Sequence, residues 1–197
     1  MKTRKYLFCL LLLASLLNVS CHDDDDNSEE TCASSSPSDY PVVRCGQIIA
    51  STGFGMGVDD SQQNRSWALV TAERLRMQYL GEFSWGAVFL TVGGDPVNPP
   101  RPSYDFSQYT RMAIEMKGAS GNECVQIGMK DANDPDDGSE TKIPVRLTTE
   151  WQRYEFSLSD FTTCQLNQTY VVAEFVFPCS GENQAQTVEV RNIGFLR

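Results

Sequence analysis

Short segments in which apolar and polar residues alternate fill the chain from Tyr40 onward. In residues 74–80 the apolar side chains Leu75, Met77 and Tyr79 fall on one side, and polar residues separate them. A period of two is typical of a β-strand with one buried face. The same alternation, or an apolar run of strand length, recurs at residues 85–92, 111–117, 124–130, 143–147, 152–158, 170–177 and 187–195.

About eight short strands separated by Gly, Pro, Asn and Asp predict an all-β fold. Their number and spacing are typical of an antiparallel β-sandwich, and we expect a jelly roll. No long stretch follows the helical period of 3.6 residues, although residues 63–73 leave room for a helical turn before a strand.

The first 20 residues have the features of a secretion signal. A basic start precedes an apolar run at residues 6–17, which is shorter than the roughly 20 residues of a membrane-spanning helix. The Val-Ser-Cys sequence that ends at Cys21 resembles a bacterial lipobox, and the aspartates at 23–26 resemble the export signal of Bacteroidetes surface lipoproteins. We therefore expect a cell-surface protein that a lipid on Cys21 anchors in the outer membrane.

The expected organisation is a lipoprotein signal peptide at residues 1–20, a lipidated acidic tether at 21–39 and a β-sandwich domain at 40–197. The tether has almost no apolar residues, so it has too little surface to bury and is predicted to be flexible. The net charge of −10 and the pI near 4.5 argue against nucleic acid and anionic lipid surfaces as partners. The net charge does not argue against neutral ligands.

Cysteine usage agrees with an exported protein. Cysteines outside the signal and the lipidation site are odd in number, which permits two disulfides and one free thiol and leaves the pairing open. They are Cys32, Cys45, Cys124, Cys164 and Cys179.

Five segments, in the order in which they follow one another along the chain, resemble those of a known protein family. They are residues 105–109, 112–118, 125–131, 151–154 with 158–161, and 188–195. That succession resembles the galactose-binding-like jelly rolls that include family 11 and related carbohydrate-binding modules. The resemblance implies a concave sheet face that holds a polysaccharide or oligosaccharide, often with a structural calcium on the other side. In a surface lipoprotein it also suggests neighbouring glycan-processing proteins as partners.

The residues do not favour a metal or other cofactor. In such modules an acidic calcium ligand usually precedes Asn-Ile in the last strand, and here that position is Arg191. Asp59 and Asp60 are interpreted as turn residues. The acidic segment 131–138 fails the spacing of an EF-hand, because Pro135 and Pro144 fall on ligand positions, so we predict a solvated hairpin loop there.

Catalysis is not expected. The only histidine, His22, follows the lipidation site, so the fold offers no Ser-His or Cys-His relay. The Glu-x-Asp-x-x-Glu string of jelly-roll hydrolases is absent from the sequence. An unrecognised glycoside hydrolase that brings Glu115 and Glu174 together across a sheet remains an alternative.

A sugar-binding site needs aromatic rings beside planar hydrogen-bonding groups, because pyranose rings have apolar faces and polar edges. We expect Trp151 and Tyr154 to pack in the core, and Pro96–Pro102 to form one wall of a cleft. Each polar candidate taken singly is better explained as part of the solvated face of an antiparallel sheet, and the glycan hypothesis requires that these side chains share one face. The ligand-binding candidates are Trp85, Tyr79, Arg76, Arg111, Glu115, Gln126, Arg153 and Glu174.

Two functions therefore follow from the sequence. The first is a non-catalytic surface lipoprotein that captures a glycan chain for neighbouring enzymes or a transporter. The alternative is an adhesin or structural subunit that binds a protein partner through the same sandwich.

Overall fold

The computed structural model describes residues 38–93, 100–179 and 183–197. This part of the chain folds almost entirely as strands, joined by short turns and three 3-10 turns at Ala50–Thr52, Leu158–Asp160 and Leu166–Gln168. The strands are β1 (Tyr40–Arg44), β2 (Gln47–Ile48), β3 (Phe54–Asp60), β4 (Ala68–Val70), β5 (Leu75–Tyr79), β6 (Gly86–Val92), β7 (Arg111–Gly118), β8 (Cys124–Asp131), β9 (Lys142–Arg146), β10 (Gln152–Ser157), β11 (Thr169–Phe177) and β12 (Gln186–Leu196).

Two antiparallel sheets form a sandwich. The five-stranded sheet has the order β3-β6-β11-β8-β9. The seven-stranded sheet has the order β10-β7-β12-β1-β2, and β5 also pairs with β12 and carries β4 on its other side. The long β12 makes this possible, because residues 186–190 pair with β5 and residues 193–195 pair with β1.

The predicted alternation of apolar and polar residues determines which side chains form the core. Inward-facing Met112, Ile114 and Met116 of β7 and Val125 and Ile127 of β8 are completely buried, which is the outcome expected of half-buried strands packed face to face. Residues 63–73 contain no helical turn, contrary to the expectation, because β4 lies there as an edge strand paired with β5.

Aromatic rings fill the space between the sheets in two groups. In the first group, Phe106 and Phe195 approach to 4.2 Å between ring centroids. In the second, Tyr79 stacks on Phe177 at 5.2 Å, and Trp67 meets both rings edge-on. Such pairs add to the stabilisation from area burial.

The structure gives the state of four cysteines of this set. Cys124 at the start of β8 is bonded to Cys179, just after β11, with 5.4 Å between the Cα atoms. Cys45 is also disulfide-bonded. Cys164 is a free, buried thiol whose pKa rises to about 11, mainly because burial disfavours the thiolate.

The signal peptide, Cys21 and the tether up to residue 37 lie outside the described residues. Within the described ranges, no helix has the length and apolar character needed to cross a membrane. The first described strand starts at Tyr40, in the seven-stranded sheet.

Candidate functional site

An open cavity of about 530 Å³ lies on the outer face of the five-stranded sheet. Val88 and Leu90 of β6 point into the core and are fully buried, so their neighbours Ala87, Phe89 and Thr91 point outward. The loop between β8 and β9 forms one side. We call this cavity the cleft, and it is lined by Asp59, Trp85, Ala87, Phe89, Thr91, Lys130, Asp136, Asp137, Gly138, Glu140, Lys142, Tyr170, Val171, Glu174 and Val176.

Aromatic side chains form part of the cleft floor. Trp85 immediately precedes β6 and is 44% exposed, an unusual degree for so large an apolar side chain. Phe89 lies above Gly57 of the neighbouring strand β3, with which it is paired in register. An exposed indole is a surface on which the C–H face of a sugar ring can stack, and Phe89 adds a second ring to the lining of the cleft.

Two carboxyl groups converge beside the aromatic floor, above Gly128 of β8. Glu174 Oε2 lies 2.9 Å from the point that a Cβ on Gly128 would occupy, and Glu140 Cγ lies 3.8 Å from the same point. Lys142 Nζ contacts Glu140 Oε1 at 2.5 Å. Lys130 Nζ lies 3.2 Å from Glu140 Oε2 as an ion pair, without the angles of a hydrogen bond.

The two carboxyl groups have opposite protonation preferences. Burial raises the pKa of Glu174 to about 7; the charge of Glu140 adds to the rise, and the charges of Lys130 and Lys142 oppose it. Burial also acts on Glu140, but hydrogen bonds from Lys142 and the backbone, together with both lysine charges, lower the pKa of that carboxyl. Below pH 7 the pair therefore holds a proton on Glu174 and the negative charge on Glu140.

The loop of residues 131–140 is held in place by polar contacts with the rest of the domain and within itself. Asp131 accepts hydrogen bonds from the backbone amides of Asn133 at 2.8 Å and Gln165 at 3.0 Å. Arg101 donates to the Asp134 carbonyl at 2.7 Å and pairs with Asp136. The hairpin prediction is confirmed, but full solvation is wrong for Asp131 and Asp134, which are buried against the sandwich.

The outer face of the seven-stranded sheet has a different character. Its three carboxylates are each shared among neighbouring cations or amides. Glu189 lies within 4 Å of Arg74, Arg76 and Lys117. Glu155 forms ion pairs with Arg111 and Arg153. Glu115 accepts hydrogen bonds from Arg191 and Asn192, both at 2.7 Å. Trp151 belongs to this face rather than to the fully buried core, with Lys117 and Arg191 over its ring at 5.1 and 4.8 Å.

The structure divides the predicted ligand-binding residues among three places. Trp85 and Glu174 line the cleft, and Gln126 is on the same sheet, where its Nε2 donates to the Pro178 carbonyl at 2.9 Å. Tyr79 is 1% exposed, with its hydroxyl bonded to Phe83 O and Asn183 Oδ1, so it is a core residue and presents no surface to a ligand. The expectation of one shared face is wrong, because the remaining candidates lie on the opposite sheet: Arg76, Arg111, Glu115 and Arg153.

Several cleft residues were not among the predicted binding residues. Phe89 was hidden in a nearly continuous apolar strand, although Thr91 marks the same side of that strand as polar. Glu140 and Lys142 lie after an acidic loop that has no strand pattern of its own. The predicted wall at Pro96–Pro102 lies mostly outside the described residues, which resume at residue 100.

The calcium that the family resemblance suggests does not fit the residues present. Arg191 Nε donates to Glu115, which places a guanidinium where a cation ligand would be needed. Among the residues that the structure describes, no three His, Cys, Asp or Glu side chains gather closely enough to hold a metal ion. Asp60 acts as a turn residue, as predicted, with its Oδ1 accepting from the amides of Gln62 and Asn64.

Comparison with solved structures identifies the class of fold. The family 11 carbohydrate-binding module from Clostridium thermocellum, in complex with a β-1,3-1,4-mixed-linked tetrasaccharide, superposes with a TM-score of 0.56 at 14% identity, covering 82% of this chain and 97% of that one. The family 11 module of a cellulosomal cellulase of the same organism gives a TM-score of 0.55 at 14% identity, with coverage of 83% and 96%. The fold is thus a jelly roll of the carbohydrate-binding-module type, as predicted.

Sequence comparison defines the family. Residues 53–197 match the profile described as carbohydrate binding domain 30, and the chain belongs to this family. The protein therefore contains a carbohydrate-binding module. A comparison with functionally curated proteins gave no match.

Proposed function

We propose that this protein is a non-catalytic, lipid-anchored surface protein that holds a glycan chain in the cleft over the five-stranded sheet. We place the glycan there because the cleft brings together an exposed indole, a buried carboxyl group and a buried ammonium group, which belong to Trp85, Glu174 and Lys130. On the opposite sheet, Trp151 has cations over its ring and the carboxylates are engaged with neighbouring side chains. The cleft is therefore the better platform for a sugar ring.

The two cleft carboxyls also support a binding role over a hydrolytic one. A glycosidase sets its carboxyl groups about 5 Å or more apart, on either side of the bond to be cleaved. Glu174 and Glu140 converge over a single glycine and lie within hydrogen-bonding reach of each other. They cannot flank a glycosidic bond in that arrangement.

Two tryptophans on opposite faces give a matched test of the location. Affinity electrophoresis would use soluble polysaccharides, starting with β-1,3-1,4-mixed-linked glucan, the linkage type bound by the family 11 module. We expect at least one polysaccharide to retard the wild-type domain, Trp85→Ala to abolish or strongly weaken that shift, and Trp151→Ala to retain it. Loss of binding in Trp151→Ala alone would move the site to the other sheet. Capture of a protein partner without any glycan shift would favour the adhesin alternative.

The anchor and the absence of catalysis require separate tests. Incorporation of a labelled fatty acid should depend on Cys21, and protease added to whole cells should degrade the wild-type protein. A Cys21→Ser variant that still takes up the label would contradict the anchor. Reducing sugar released from a bound polysaccharide, and lost in Glu174→Gln, would contradict the non-catalytic assignment.

A further inference from the structure

The strongest unused feature of the cleft is a pair of carboxyl oxygens without hydrogen-bond partners. Glu174 is 8% exposed and the Glu140 side chain 2% exposed, and within the described residues the Oε2 atom of each receives no hydrogen bond, although Lys130 Nζ lies 3.2 Å from Glu140 Oε2 as an ion pair. A buried carboxyl oxygen that receives no hydrogen bond costs free energy unless a proton held between the two carboxyls, or a ligand, supplies a donor. Both residues line the cleft, so the missing partner can be a ligand hydroxyl.

We propose that glycan binding in the cleft is coupled to a proton shared by Glu174 and Glu140, and that the bound state retains this proton. This inference rests on the proposed glycan-binding function. With one proton, the pair offers a donor and an acceptor at one point, which matches a sugar hydroxyl that both accepts and donates. Without the proton, two adjacent carboxylates would be covered by the glycan and cut off from water, which is unfavourable.

The charged surroundings of the pair support the coupling. Lys130 of β8 and Lys142 of β9 form ion pairs with Glu140, and their charges partly oppose the rise in the pKa of Glu174. The outward residues of β6 that line the cleft are Ala87, Phe89 and Thr91, which carry no charge. The further titratable or charged groups around the cleft are Asp59 of β3, Tyr170 of β11, Asp134, Asp136 and Asp137 of the loop, and Arg101, which pairs with Asp136 and lies over the Tyr170 ring.

The sign and size of the effect follow from the protonation of Glu174. The pKa of this carboxyl is about 7 in the free protein, so the binding-competent fraction falls from roughly nine tenths at pH 6 to roughly one tenth at pH 8. The apparent Kd should therefore weaken about tenfold between these pH values. Binding at pH 8 should take up close to one proton per glycan chain.

The experiment is titration calorimetry of the wild-type domain with β-1,3-1,4-mixed-linked glucan, or with whichever polysaccharide retards it, at pH 6 and 8 in buffers of different ionisation enthalpy. We expect a roughly tenfold affinity ratio and buffer-dependent proton uptake at pH 8. In Glu174→Gln the ratio should approach one, because the amide cannot ionise. In Glu155→Gln, on the opposite sheet, the wild-type ratio should persist.

A second variant guards against misfolding of the first. In Glu140→Gln the pair can never hold two adjacent carboxylates, and an amide beside the ionised Glu174 still offers a donor and an acceptor, so the affinity ratio of this variant between pH 6 and 8 should also approach one. Equal Kd at pH 6 and 8, or an unchanged pH profile in Glu174→Gln, would overturn the coupling and leave the glycan-binding function intact. Absence of binding to every polysaccharide between pH 5 and 9 would overturn the proposed function itself.

Discussion

Phe89 lies directly over Gly57 on the neighbouring strand, and the contact leaves no room for a side chain on the glycine. A Cβ built on Gly57 would lie 2.2 Å from Cε2 and 2.4 Å from Cζ of the Phe89 ring. The two residues are paired across β3 and β6. Glycine in a strand often marks close approach of another group, and here it lets the ring lie down on the sheet as part of the cleft floor.

Replacing Gly57 by alanine should therefore weaken glycan binding. The new methyl group must displace the Phe89 ring from the sheet into the cleft, which removes a stacking surface and narrows the space for a sugar. A lost ring contact of about 1 kcal/mol corresponds to a several-fold increase in Kd. The measurement is affinity electrophoresis or calorimetry on Gly57→Ala, with Phe89→Ala as the comparison.

Both variants should retain the fold, since Phe89 is only partly buried and faces outward. Thermal unfolding provides that control. Wild-type affinity in a folded Gly57→Ala domain would show that the Phe89 ring takes no part in binding.

The sequence predicted the sandwich well because strand alternation reports burial directly. Leu75, Met77 and Tyr79 of β5 all face the core, as their spacing of two indicates. The edge strand β4 was missed because three residues are too few to show a period. It forms by pairing with β5, a contact that no local pattern encodes.

The site was harder to predict, because alternation shows which residues face outward but not on which sheet. Arg111 and Glu174 both occupy outward positions, yet β7 and β11 belong to different sheets, so the two side chains lie on opposite surfaces. Tyr79 was placed correctly within its strand and only its role was misjudged. Sheet membership depends on long-range pairing, which a single sequence does not reveal.

We expect Glu189 to contribute more to stability than an ordinary outward-facing residue of a strand. It is the shared partner of Arg74, Arg76 and Lys117, at 3.3, 3.9 and 3.6 Å, and its side chain is only 12% exposed. Glu189→Gln leaves three cations together without the carboxylate, and we expect a loss of about 1 to 2 kcal/mol in urea unfolding, larger at low salt.

The matched control for that loss is Glu155→Gln on the same face. Glu155 also pairs with two arginines but is 33% exposed, so water screens the interaction and the expected loss is below about 1 kcal/mol. Equal losses in the two variants, or no salt dependence for Glu189→Gln, would contradict this account.

The Cys124–Cys179 disulfide should stabilise the five-stranded sheet by restricting the unfolded chain. The bond closes a loop with a sequence separation of 55, for which chain entropy gives about 4 kcal/mol. The double variant Cys124→Ala/Cys179→Ala should unfold at a temperature lower by roughly 10 °C. Cys164→Ala, which removes the buried free thiol, is the control and should change the midpoint far less; comparable shifts in the two proteins would rule out the entropic contribution.

Glu174 should make the stability of the folded domain decrease as pH rises, even without a ligand. An ordinary glutamate has a pKa of 4.5, whereas in the folded protein burial raises that of Glu174 to about 7. Between these pH values the folded state holds a proton that the unfolded state has released, so the free energy of unfolding falls as pH increases. The total loss is of the order of 3 kcal/mol by pH 8.

Glu174→Gln isolates this contribution. The amide can donate to Glu140 as the protonated carboxyl does, but it cannot ionise, so the variant should lack most of the decline and exceed the wild type in stability at pH 8. Glu140 affects stability in a different pH range. Because its pKa is lowered in the folded protein, the stability that its ionised form contributes is lost only as the pH falls below 4.5. Urea unfolding at pH 5, 6, 7 and 8 measures both proteins, and parallel curves for the two would show that the Glu174 carboxyl ionises in the folded state as readily as in the unfolded chain.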